Sequence, residues 1–182
     1  ARFLSKRRAF DESIASFRKA IELESSFHEA EHQLGMTLLA AQRFEEALEY
    51  FEDMIGRSHT DAQAHYHAGA IALNLRRPAQ AKPHLEKAIE FDPELAPAHE
   101  QLGLLLLTES KVDDAIEQFK IAIRINPKSV LAQYNLAVAY FMRGELEKAK
   151  VHAIVAVELD PHDTDLRGFL QMLNQRVPHK RP

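Results

Sequence analysis

Apolar residues along this chain recur at three- and four-residue steps, broken every dozen or so positions by short polar stretches. In residues 96–125, Ala98, Leu102, Leu105 and Leu106 lie along one helical stripe. The polar run Ser110–Asp114 interrupts it, and Ala115, Ile116, Phe119, Ala122 and Ile123 form a second stripe. The pattern predicts pairs of short helices. Acidic pairs open the second helix of a pair (Glu45–Glu46, Asp113–Asp114), where carboxylates favour the positive end of the helix dipole. Asp92–Pro93, Asn126–Pro127 and Asp160–Pro161 close it, because the residue before proline resists helical geometry.

The pairs repeat with a fixed period. Gly35, Gly69 and Gly103 are 34 residues apart and Ala137 continues the series; so do Ala47, Ala81, Ala115 and Ala149, and Phe51, Leu85, Phe119 and Ala153. Four complete units follow, 28–61, 62–95, 96–129 and 130–163, with a partial one in 1–27. The small residues are expected where first and second helices cross. Two irregularities stand out: Gly56 is expected to end the second helix of unit 28–61 early, and Pro83 to bend the first turns of the next. In unit 28–61, His59 stands where the other units have proline. Residues 164–177 restart a first helix with Gln171 at the small-residue position, and read as a C-terminal cap; 178–182 are a tail.

With the repeat unit defined, the chain resembles the tetratricopeptide repeat family, whose signature is W-x2-L-G-x2-Y, then A-x3-F, then P, every 34 residues. Here the first part reads Glu31–Leu34–Gly35–Leu38, His65–Ala68–Gly69–Ala72, His99–Leu102–Gly103–Leu106 and Gln133–Leu136–Ala137–Tyr140; the tryptophan position never holds Trp. The resemblance implies an all-α fold, a right-handed superhelical α-solenoid of helix-turn-helix repeats over residues 1–163. It also implies that the first helices line a concave inner wall.

Numbering each unit from one, positions 3, 7, 8 and 11 of the first helix are expected in the core. Positions 2, 5, 9 and 12 form a separate stripe, which the resemblance places on the inner wall. Position 9 is Met36, Ala70, Leu104 and Val138, and position 12 is Leu39, Leu73, Leu107 and Phe141; all eight are apolar. A contiguous apolar strip marks an interaction surface. The candidate partner groove is therefore Met36, Leu39, Leu73, Leu104, Leu107, Val138 and Phe141, rimmed by Tyr66 and Tyr134. The alternative is that neighbouring first helices cover these residues themselves. Position 6 supplies Gln33, His67, Gln101 and Asn135, side chains that donate and accept hydrogen bonds. They could hold a peptide backbone, a row similar to the amide ladder of the family's glycosyltransferase members, or could bond between neighbouring helices. The co-chaperone members grip a terminal carboxylate with Lys, Asn and Arg. The corresponding places here hold His32, Met36, His67, Pro97 and Gln101, or Tyr66, Ala70, Gln101, Leu131 and Asn135, with no fixed cation in either set. A chaperone tail is not expected as the ligand.

Composition narrows the remaining classes. The 182 residues carry 23 Lys and Arg against 27 Asp and Glu, without the basic excess of a nucleic-acid binder. Charge is uneven: residues 28–61 set Arg43 and Arg57 against eight acids, whereas 164–182 are net basic. There is no cysteine, hence no disulfide and no thiolate site, which fits a reducing, cytoplasmic compartment. The longest apolar runs are too short for a membrane span. The chain begins at Ala1, so a removed targeting segment stays open. His28 and His32 are four apart, half of a metal site, yet no third ligand accompanies them; His65 and His99 share position 4 and are expected beside the second helices. Glycines fall at crossings, turns and helix ends, none in a phosphate loop, and the acids read as solvated faces. The sequence thus predicts a non-catalytic scaffold without metal or cofactor that binds a peptide or helix of a partner protein. Its rivals are self-assembly into homo-oligomers and a substrate-recruiting accessory role in a larger enzyme.

Overall fold

The computed structural model describes residues 2–23, 28–58 and 60–176, the side chains of 2–7 and 28–29 aside. His59, the tail 178–182 and the side chain of His28 lie outside the described residues. Ten helices and no strand occur among them. They fall into two compact units. The first, residues 1–91, holds α1 (Arg2–Leu23), α2 (His28–Ala40), α3 (Phe44–Arg57), α4 (Ala62–Asn74) and α5 (Pro78–Phe91). The second, residues 92–182, holds α6 (Ala96–Thr108), α7 (Val112–Ile125), α8 (Val130–Met142), α9 (Leu146–Leu159) and α10 (Thr164–Arg176). Within each unit every helix packs on the next in sequence, and in the second α6 also lies against α8.

Pairing rests on a reciprocal fit at one point per hairpin. A Cβ added at Gly103 would lie 2.6 Å from a ring carbon of Phe119, and one at Gly69 would lie 2.8 Å from Cγ of Leu85; at Gly35 it would strike the Phe51 ring. The missing side chain on the first helix is the space the second helix's large residue fills. In unit 130–163 both partners change together, to Ala137 and Ala153, each almost fully buried. Positions 3, 7, 8 and 11 are buried in all four repeats, as their spacing predicts.

The turns are built alike although their sequences differ. Gln42, Arg76, Ser110 and Gly144 all have φ between 58° and 83°, and each stands at position 15. The next residue's N–H reaches back five residues, Arg43 to Leu38, Arg77 to Ala72, Lys111 to Leu106 and Glu145 to Tyr140, satisfying a carbonyl that the helix end leaves open. At the far end of the repeat, Asp92, Asn126 and Asp160 each accept from the N–H two residues on, a side-chain turn around the intervening proline. Asp61 and Ser129 then cap α4 and α8 by accepting from Ala64 and Ala132.

One local expectation needs revision. Gly56 does not end its helix early: α3 runs through it to Arg57 and matches α5, α7 and α9 at 14 residues. A helical glycine costs only about 1 kcal/mol, which the burial of Phe51 and Met54 on the same helix outweighs. The partial repeat forms one helix, α1, of 22 residues. α5 continues through Pro83, which is exposed. No helix among the described residues is long and apolar enough to cross a membrane.

Candidate functional site: the inner stripe of the first helices

The stripe at positions 5, 9 and 12 differs in environment from the core stripe beside it. In α6, Leu102, Leu105 and Leu106 are 7 %, 1 % and 6 % exposed, whereas Leu104 and Leu107 are only half-buried. Val138 on α8 and Leu39, Leu73 and Tyr66 in the first unit are likewise half-buried, and Met36 is exposed. The structure therefore leaves these apolar side chains neither sealed nor fully open. Tyr134 and Phe141 have an intramolecular partner that the sequence did not suggest. Phe169 of α10 meets both edge-on, at 5.5 and 5.9 Å between ring centroids, and the Arg176 guanidinium lies 5.2 Å from the Phe141 ring centre.

The position-6 row is heterogeneous. Gln33 is exposed and Gln101 half-buried. His67 stacks on the core ring of Phe51 at 4.9 Å and 26° and touches Tyr66. Burial, with His32 as a further positive neighbour, holds the His67 imidazole down to about 4, against a weaker opposing pull from Asp61. It is thus a neutral ring at pH 7, able to donate from one nitrogen and accept at the other. Asn135 is buried, and its amide nitrogen meets no acceptor. A buried donor without a partner is costly.

A second polar row, which the repeat register makes visible only in three dimensions, joins position 4 of each first helix to position 23 of its second. His65 faces His84 at 3.3 Å between Nδ1 atoms, His99 faces Gln118 at 2.7 Å, and His152 faces Gln133 at 2.8 Å. In unit 28–61 the same two places hold Glu31 and Tyr50, with Arg57 paired to the buried Glu31 carboxylate. Burial foremost, and Glu31 next, push the Tyr50 phenol up to about 12. His99 also bonds the Pro93 carbonyl through Nε2, at 3.1 Å. That carbonyl only accepts, so Nε2 carries a hydrogen toward it, while Nδ1 faces the Gln118 amide oxygen. His65 and His99 thus join the two helices of their own hairpins, beside the second helices as expected. His32 contacts Asp61 at 3.3 Å. Among the described residues no group of three or more His, Cys, Asp or Glu is arranged to hold a metal.

The profile of the tetratricopeptide repeat family matches residues 2–62, 32–96 and 100–161. The chain is a tetratricopeptide repeat protein. A comparison with curated proteins found no match. Among solved structures, the tetratricopeptide repeat protein YrrB is similar at 27 % identity and a TM-score of 0.71, over 94 % of this chain and 88 % of YrrB; its structure is described as having an unusual peptide-binding site. MamA is 25 % identical with a TM-score of 0.73, over 86 % of this chain and 93 % of MamA. TTC0263 of Thermus thermophilus, a thermophilic member, shares the fold at 23 % identity and a TM-score of 0.71, over 94 % of each chain. Tetratricopeptide repeats are interaction modules, built on the all-helical solenoid fold.

Proposed function

We propose that this tetratricopeptide repeat protein is a non-catalytic scaffold that holds an apolar peptide or helix of a partner protein against the inner stripe of its first helices. One observation carries the reading: positions 9 and 12 are apolar in every repeat yet incompletely buried, while positions 3, 7, 8 and 11 beside them are sealed. A stripe needed only for packing would be covered to the same degree. In the second unit Leu104, Leu107 and Val138 anchor apolar ligand side chains; in the first unit Met36, Leu39 and Leu73 offer a contact of the same kind. Gln33, His67, Gln101 and Asn135 address its backbone. The peptide-binding description of YrrB supports the same use of the fold. In this reading α10 is the C-terminal cap, and its Phe169 closes the Tyr134–Phe141 end of the stripe.

Covering about 400 Å² of apolar surface contributes on the order of 10 kcal/mol gross at ~25 cal/mol/Å². Ordering and association costs reduce that to micromolar affinity. The test is selection from a random peptide library, followed by binding of the enriched peptides to Leu104→Glu/Leu107→Glu. The variant is expected to keep its helical content and melting behaviour and to lose the peptides. Equal binding by the folded double variant would remove this stripe from consideration.

A further inference from the structure

The inner helices are strongly biased in charge. Of the chain's 23 lysines and arginines, none lies in α2, α4, α6 or α8. In α6 and α8, which lie side by side, the single formal charge is Glu100. It stands at position 5, one turn before Leu104 and two before Leu107, on the same stripe. The equivalent places in α4 and α8 hold Tyr66 and Tyr134. Glu100 is half-buried, and its Oε1 accepts from the Ser129 hydroxyl at 2.5 Å. That bond orients the carboxylate without neutralising it. The Arg176 guanidinium, which lies over the Phe141 ring, belongs to the other end of the stripe.

From this arrangement we infer the chemistry of the partner: an apolar segment carrying one basic side chain, seated with its cation on Glu100 and its apolar residues on Leu104, Leu107 and Val138. The inference rests on the groove reading above and adds the charge of the occupant. A carboxylate brought to the Glu100 end of this stripe would lose hydration beside a like charge. An ammonium or guanidinium gains a partly desolvated carboxylate that is already held in place.

Three short fluorescein-labelled peptides, alternating Leu and Ala and differing only in a central Lys, Gln or Glu, test this by fluorescence anisotropy at low salt. The Lys peptide is expected to bind about fivefold more tightly than the Gln peptide, and the Glu peptide weaker again by a similar factor. In Glu100→Gln the preference for Lys over Gln should fall to within about twofold. Leu104→Glu/Leu107→Glu should bind none of the three. If all three bind the parent equally, or the Glu peptide binds best, and the leucine variant still loses them, the charge assignment is wrong and the groove stands. A Lys preference that survives Glu100→Gln overturns the role of Glu100. If none of the three binds, the inference fails, and peptides recovered from the random library decide separately whether the groove does.

Discussion

Replacing Gly103 with alanine isolates the contact on which each hairpin closes. In a helix interior the change by itself stabilises by about 1 kcal/mol, because glycine has the greater backbone freedom to lose. The structure opposes that gain. The new methyl would lie 2.6, 2.8 and 2.9 Å from three ring carbons of Phe119, where ordinary carbon contacts sit at about 3.5–4.0 Å. The ring is fully buried, so it has no solvent side to swing toward. Overpacking of this kind costs about 1–3 kcal/mol, leaving a net destabilisation of up to ~2 kcal/mol. Phe119→Ala alone should cost about 3–5 kcal/mol through lost burial and a cavity. The double variant recreates the Ala137–Ala153 pair of the following repeat. Its destabilisation should be smaller than the sum of the single changes by at least ~1 kcal/mol, since the methyl then enters space the ring has left. Urea titration followed by circular dichroism measures all three. A neutral or stabilised Gly103→Ala, or strict additivity in the double variant, would refute the reciprocal-fit explanation.

Two further outcomes follow from single residues. His67 is held down to about 4 in the folded chain against 6.5 when free, so the unfolded state takes up its proton first as pH falls. Its contribution to stability is intact above pH 6.5 and is lost between there and pH 4. The loss is roughly 3 kcal/mol at about 1.36 kcal/mol per pH unit, and His67→Gln should flatten that part of a stability–pH curve measured by urea unfolding. Ser110 occupies the left-handed turn position that Gly144 fills one repeat later; Ser110→Gly should therefore stabilise by about 0.5–1 kcal/mol, read as a higher urea midpoint with unchanged slope.

Much of the architecture was legible because helical spacing and the 34-residue period report which residues need burial. The core positions 3, 7, 8 and 11 are instances, and so is the small residue at each crossing, glycine in three repeats and Ala137 in the fourth. Gly56 misled because glycine ends helices only when the packing around it permits, and here Phe51 and Met54 hold the helix together. The turn residues Gln42, Arg76 and Ser110 were illegible for the opposite reason. Nothing in a glutamine, an arginine or a serine announces a positive φ, which the closing of the hairpin imposes on them. The bridge between positions 4 and 23 was half visible: His65 and His99 were placed beside the second helices, but their partners lie nineteen residues away and change type from repeat to repeat. Phe169 could be assigned to a helix from its surroundings, yet not to the rings of Tyr134 and Phe141.

The sequence by itself determined the helix pairs, their period, the family and the stripe of apolar residues left over once the core was assigned, because each depends on spacing along one helix. Only the tertiary structure decided how far that stripe is covered, which of its members α10 engages, that the Asn135 amide nitrogen lacks an acceptor and how Glu100 is held. Those properties arise where residues distant in sequence meet, and helical periodicity carries no information about what lies across a packed interface.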